Sequence, residues 1–144
     1  TAAWSPYYQK DKDLIEKMQH RFTKMIPNIS HLSYEERIEI LHLWTLEERR
    51  NRADLIQVFK MYSGASAPGF GDFFEVDSRG RTRGHSLKLV KHRSSTLVRQ
   101  MFFSKRVANN WNQLSAETVA STSLEQFKSR ISKLREAKKG LFRD

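Results

Sequence analysis

The sequence contains no cysteine, so disulfides and thiolate metal sites are excluded and a reducing compartment is favoured. It has no run of eighteen apolar residues, so no membrane-spanning helix is expected. No signal-peptide pattern stands at its start. It opens on Thr1 and not on Met, the beginning expected of a fragment or a processed product. The most informative shortage is local. Although the chain has sixteen acidic residues, no Asp or Glu occurs between Asp77 and Glu117. That window, residues 78 to 116, holds nine cations: Arg79, Arg81, Arg83, Lys88, Lys91, Arg93, Arg99, Lys105 and Arg106. The chain carries a net charge of +10, and only +1 of it belongs to residues outside the window.

Charge segregated in this way, with a pI near 10.1, points to a polyanionic partner such as nucleic acid or an acidic membrane surface. A domain that merely happens to be basic would spread its charge. A length of 144 residues suits one domain or two small ones, and sixteen aromatic residues can supply a core although the apolar fraction is only 38%.

Recognised catalytic patterns are also missing. The five His, at positions 20, 31, 42, 85 and 92, lack zinc-protease spacing. Asp72, Glu75 and Asp77 have no metal-ligand spacing and read as a solvated acidic loop. Gly-Phe-Gly and Arg-Gly-Arg lack the strand–loop–helix setting of a phosphate loop, and no Gly-x-Ser-x-Gly is present. Neither catalytic residues nor a cofactor or metal are expected in this chain.

What is present reads as mainly α: a helical bundle with a Gly-rich basic loop. After Pro6, Ile15, Met18, Phe22, Met25 and Ile26 fall on one helical stripe, with Lys10, Lys17, Arg21 and Lys24 on a second beside it. Pro27 ends that helix. Ser33 to Glu36 and Thr45 to Glu48 are capping boxes that open two further helices, the second with Leu55, Val58, Phe59 and Tyr62 on one face. Five of the six glycines lie between Gly64 and Gly84, a loop or linker that Phe70, Phe73 and Phe74 can pin to the core. Residues 87–91 alternate like a strand, and 96–103 suits either the second strand of a small hairpin or a helix. Ser104 is an N-cap candidate and Ser123 to Gln126 a third capping box for two C-terminal helices, one bearing Val107, Trp111 and Leu114, the other Leu124, Phe127, Ile131 and Leu134. The division expected is a helical part over 1–63, a Gly-rich basic linker over 64–85 and a basic helical part over 86–144. Phe102, Phe103 and Trp111 stand among cations, a pattern that stacks bases or simply packs a core. Packing is the reading favoured for Trp111. Asn109, Asn110 and Asn112 suggest a polar surface or a hydrogen-bonding role.

Four blocks then carry a resemblance across nearly the whole chain: "WSPYYQKDKDLIEKMQHRFTKMI", "LSYEERIEILHLWTLEERRNRADLIQVFKM", "RTRGHSLKL" and "FFSKRVANNWNQLSAETVASTSLEQFKSRI". In this order they resemble the C-terminal, thumb and post-thumb, region of reverse transcriptases from LINE-type non-LTR retrotransposons of the jockey-like branch. The resemblance implies a region that follows the polymerase palm and grips RNA template or RNA–DNA hybrid. The family's Tyr-x-Asp-Asp motif is absent, so polymerase chemistry does not carry over to this chain. The resemblance makes Arg81, Arg83 and His85 template contacts. Charge extends the expected nucleic-acid site to Lys88, Lys91, Arg93 and Arg99, with Lys105 and Arg106 at its edge and Lys17, Arg21 and Lys24 as a secondary group. The implied partners are RNA, hybrid or DNA and the rest of the reverse transcriptase, in an intracellular setting, nucleus or cytoplasm. The alternative is a reused fragment serving as a protein–protein interaction module. A membrane partner is not expected, because the basic stretch is no clean amphipathic helix.

Overall fold

The structure is a computed structural model and describes residues 5–79, 84–138 and 142. It is mainly α-helical, with α1 (Gln9–Lys24), α2 (Tyr34–Ile40), α3 (Leu46–Tyr62), α4 (Leu97–Gln100), α5 (Phe103–Asn112), α6 (Ala116–Val119) and α7 (Leu124–Ala137). No helix among the described residues is long and apolar enough to cross a membrane.

The two N-terminal capping boxes form as their spacing requires. Glu36 N–H donates to Ser33 Oγ at 3.3 Å while the Glu36 carboxylate accepts from Ser33 N–H at 2.8 Å. Thr45 and Glu48 repeat the exchange at 3.2 Å in both directions. Helix α2 then stops without a glycine. His42 takes a φ of 51°, which lets Leu43 N–H reach Ile38 C=O at 2.8 Å and His42 N–H reach Glu39 C=O at 3.1 Å.

The apolar stripe on α1 locates the helix but not its inward face. Met18, Phe22 and Met25 are 66%, 65% and 79% exposed. The side turned to α2 and α3 is polar. Glu16 accepts from the Tyr34 hydroxyl and from Leu46 N–H (2.9 Å), and the Gln19 amide donates to the Tyr34 oxygen and to Trp44 C=O at 3.0 and 2.9 Å. Buried Thr23 receives the Nε–H of buried Arg37 at 3.1 Å. Burial, then the Glu16 contact, pushes the Tyr34 phenol above its ordinary pKa, so it stays a donor.

Helix α3 is the central element and packs against α1, α5 and α7. Its Leu55 and Val58 are fully buried, as are Trp111 of α5 and Phe127 and Ile131 of α7. The Phe59 and Phe127 rings stack at 4.3 Å. Each such side chain contributes roughly 1.5–3 kcal/mol relative to exposure. The parts expected as 1–63 and 86–144 thus supply one core between them. The Gly-rich segment is anchored to that core by Phe70 and Phe74, whose ring centroids are 5.3 Å apart, and by Phe103 at 5.7 Å from Phe74.

Two local expectations are corrected. Of the two readings of 96–103 the hairpin strand falls and the helix holds in part: α4 covers Leu97–Gln100, and α5 begins after Phe102, with no side-chain cap, and not after Ser104. The extended stretch 87–91 pairs backward instead. An antiparallel bridge joins Val76 to Leu89, with Asp77 N–H to Lys88 C=O at 2.7 Å and Val90 N–H to Glu75 C=O at 2.8 Å. The other side of Leu89 is held by the Asn112 amide, which accepts from its N–H at 2.7 Å and donates to its C=O at 2.9 Å. One of the three unexplained asparagines therefore acts as a side-chain substitute for a neighbouring strand.

Candidate nucleic-acid interface

The bridge and the Asn112 clasp deliver residues 90–95 onto one side of α5, where they wall an open cleft of about 1190 Å³. Lys91, His92 and Arg93 stand on one lip, Ser104, Lys105 and Asn109 of α5 on the other, and Lys12 of α1 closes an end. Ser94, Ser95 and Gln100 add hydroxyl and amide groups, and no carboxylate is among the described lining residues. The first turn of α5 opens here with no side-chain cap and no acid; Lys105 and Arg106 N–H donate to Phe102 C=O, and the positive end of the helix dipole is left for an anion.

The structure sorts the expected contacts. Lys91, Arg93 and Arg99 are exposed. Lys105 is half-buried, and its Nζ donates to His92 C=O at 3.0 Å, which pins the lip. Lys88 is half-buried, its stem lying against Gly84, where a Cβ would meet Lys88 Cε at 3.0 Å. Arg81 and Arg83 lie outside the described residues. Lys17, Arg21 and Lys24 are exposed on α1, but Lys17 lies about 140° around the helix from the cleft residue Lys12.

Two assignments are corrected. Arg106 lines the cleft yet is not available to phosphate. Its Nε and Nη2 grip Asp54 at 2.7 and 3.0 Å, Nη1 donates to Met101 C=O at 2.9 Å, and the side chains are 11% and 3% exposed. His85 is 6% exposed and faces inward, its Nε2 at 3.0 Å from Trp111 C=O. Trp111 Nε1–H in turn donates to Leu87 C=O at 2.9 Å, so both rings fasten the 85–89 stretch to α5.

The acid-free window is acid-free along the chain only. In space Glu75 reaches His92 at 3.3 Å, Glu47 pairs with Lys12 at 2.8 Å and Asp54 holds Arg106. Asp77 pairs with Arg79 at 3.0 Å. The exposed pairs are weak and salt-sensitive, whereas the buried Asp54 pair is fixed.

His85 makes a pH-dependent contribution to stability. Its Nε2 carries the proton given to Trp111 C=O, and Nδ1 is buried with no hydrogen-bond partner among the described residues. Burial lowers its pKa below the ordinary histidine value; the Trp111 carbonyl opposes this and the Lys88 charge adds to it. The unfolded chain therefore takes up a proton here first, as pH falls through about 6.5. Stability from this group is present above that pH and declines toward the lower folded pKa. The stability gap between wild type and His85→Gln, from urea midpoints, is expected to shrink between about pH 7.5 and 5.5. An unchanged gap would mean that His85 titrates normally in the fold.

Sequence reasoning missed Lys12 and Gln100, and marked Asn109 as polar surface without placing it at this cleft. Lys12 lies some eighty residues from the other lip, and no local pattern links them. Asp72, Glu75 and Asp77 do not converge: their carboxylates go separately to Gly69 N–H, His92 and Arg79. No family model, curated protein or solved structure matches the chain.

Proposed function

We propose that this chain is a non-catalytic nucleic-acid-binding module of a LINE-type reverse transcriptase that holds RNA template or RNA–DNA hybrid by its backbone. The observation that carries this reading is the cleft: exposed Lys91 and Arg93, an uncapped helix start and a set of hydroxyl and amide donors, with no carboxylate in its described lining. Such a surface meets phosphates irrespective of sequence. Beside it, Phe102 at the N-cap of α5 is 62% exposed, while Phe103 and Trp111 are taken up by packing. Of the three aromatics among the cations, Phe102 is the one left to stack on an unpaired base.

The test is fluorescence anisotropy with labelled single-stranded RNA, hybrid and duplex DNA over a salt series. With about five phosphates engaged, log affinity should fall with log salt at a slope near −3.5 to −4.5. Phe102→Ala should weaken single-stranded RNA by about 1–3 kcal/mol and leave duplex binding unchanged. Absence of binding to all three ligands near 0.15 M salt would overturn the proposal.

A further inference from the structure

A second groove, of about 700 Å³, lies between α1 and α3. Its apolar lining is Ile15 of α1, Trp44 ahead of α3, and Leu46, Ala53 and Ile56 of α3. Arg49, Arg52 and Lys60 stand along the same ridge of α3, at positions that recur every three to four residues with Ala53 and Ile56. No carboxylate is among its described lining residues, and neither Arg49 nor Lys60 is hydrogen-bonded or ion-paired to a carboxylate among the described residues. The Arg52 guanidinium lies 5.4 Å from the Trp44 ring centroid, and its Nε is buried without a hydrogen-bond partner among the described residues. On the α1 side the apolar surface continues past the groove, because Met18 follows Ile15 by one turn and is 66% exposed.

We infer that this groove receives an acidic amphipathic helix of a protein partner. The Trp44 ring is already engaged by the Arg52 and Arg135 guanidinium groups, 5.4 and 5.0 Å from its centroid, and by Phe142, stacked at 5.9 Å, so it is not set out as a stacking plane for a base, and a concave floor does not lie against a flat bilayer. A small acid needs one cation, whereas Arg49 and Lys60 are eleven residues apart, roughly 16 Å along α3. That length matches three turns of a ligand helix, with apolar anchors at i, i+3 or i+4 and i+7 on the floor and carboxylates on the adjacent face meeting Arg49, Arg52 and Lys60. The inference is independent of the nucleic-acid reading, because the two surfaces share no residue.

The probe is a labelled synthetic helix with Leu anchors and flanking Glu, compared with the same Leu pattern flanked by Lys. The Glu peptide should bind at least about tenfold more tightly and shift the amide resonances of Ile15, Leu46 and Ile56. Arg49→Glu with Lys60→Glu should reverse the preference. Lys133→Glu with Lys138→Glu makes the same charge change at exposed positions on α7 and its C-cap and should leave it intact. Equal binding of the two peptides overturns the inference. So does equal loss of preference in both double variants, which would reduce the effect to net charge. Displacement of the Glu peptide from those amides by an RNA oligomer would assign the groove to nucleic acid and overturn it as well.

Discussion

Replacing Asp54 by Asn is expected to lower the stability of the fold by about 3–5 kcal/mol, the range for breaking a buried ion pair on one side. The Arg106 guanidinium sits between α3 and α5, 11% exposed, with two of its nitrogens on the Asp54 carboxylate. The amide keeps the shape but removes the charge and one acceptor oxygen, so a desolvated cation remains in place. The third guanidinium nitrogen is committed to Met101 C=O, and the guanidinium carbon lies 5.9 Å from the Phe103 ring centroid. Turning it outward would unpack the start of α5. Changing both partners together, Asp54→Leu with Arg106→Met, should recover most of the loss, since no buried charge is then stranded. Urea denaturation at neutral pH reads both variants. A loss below about 1 kcal/mol for the single variant would place the pair in the class of solvated surface bridges and return Arg106 to the phosphate-binding candidates.

This pair also shows where sequence reading reached its limit. Arg106 and Asp54 are fifty-two residues apart, and only the packing of α3 on α5 makes one the counterion of the other. Features set within three or four residues were legible. Ser33, Thr45 and Ser123 each accept from the N–H three residues on, because capping needs nothing beyond the first helical turn. Even there the return bond of the third box goes elsewhere, with Gln126 accepting from Thr122 N–H at 2.9 Å. The left-handed closure of α2 at His42, though not the helix's end near Leu41, was hidden because a left-handed residue other than glycine leaves no compositional mark. The α1 stripe was real as a periodicity, but a period does not say which face a neighbour covers. Polar partners on α2 and α3 chose the Glu16–Gln19–Thr23 side. Likewise, the strand-like alternation at 87–91 found its partners in Val76 and an asparagine side chain, neither of which a hairpin template contains. For the site, charge along the chain identified the cleft lip at Lys91 and Arg93. It did not show that Arg106 is held by Asp54, nor did the resemblance that pointed to His85 show that its ring faces Trp111 across the core.

The cleft gives the other large expected effect. Changing Lys91, Arg93 and Arg99 together to Gln removes three exposed cations from the segment that borders it. Giving up one phosphate on a single strand reduces the salt slope by about 0.7 and costs roughly 0.6 log units at 0.15 M salt. If all three side chains meet phosphate, the slope flattens by about two units and affinity falls about fiftyfold, alike for every sequence. The matched comparison is Lys128 and Lys133 of α7 with Lys138 at its C-cap, changed to Gln, which removes the same formal charge. Lys133 and Lys138 are exposed, and Lys128 pairs with the exposed Glu125 at 2.8 Å. Arg135 does not belong in that comparison: it pairs with Glu48, which is 1% exposed, and lies 5.0 Å from the Trp44 ring centroid, so its removal would damage the fold. Beyond a Debye length of about 8 Å the α7 cations act only as a screened field, and their removal should cost no more than a few-fold in affinity. Anisotropy titrations of both triple variants against one RNA oligomer decide between the two pictures. Equal losses would make the basicity a diffuse field with no localised cleft. A loss confined to the 91–99 triple, with a flattened slope, would fix the phosphate track between the 90–95 segment and the first turn of α5.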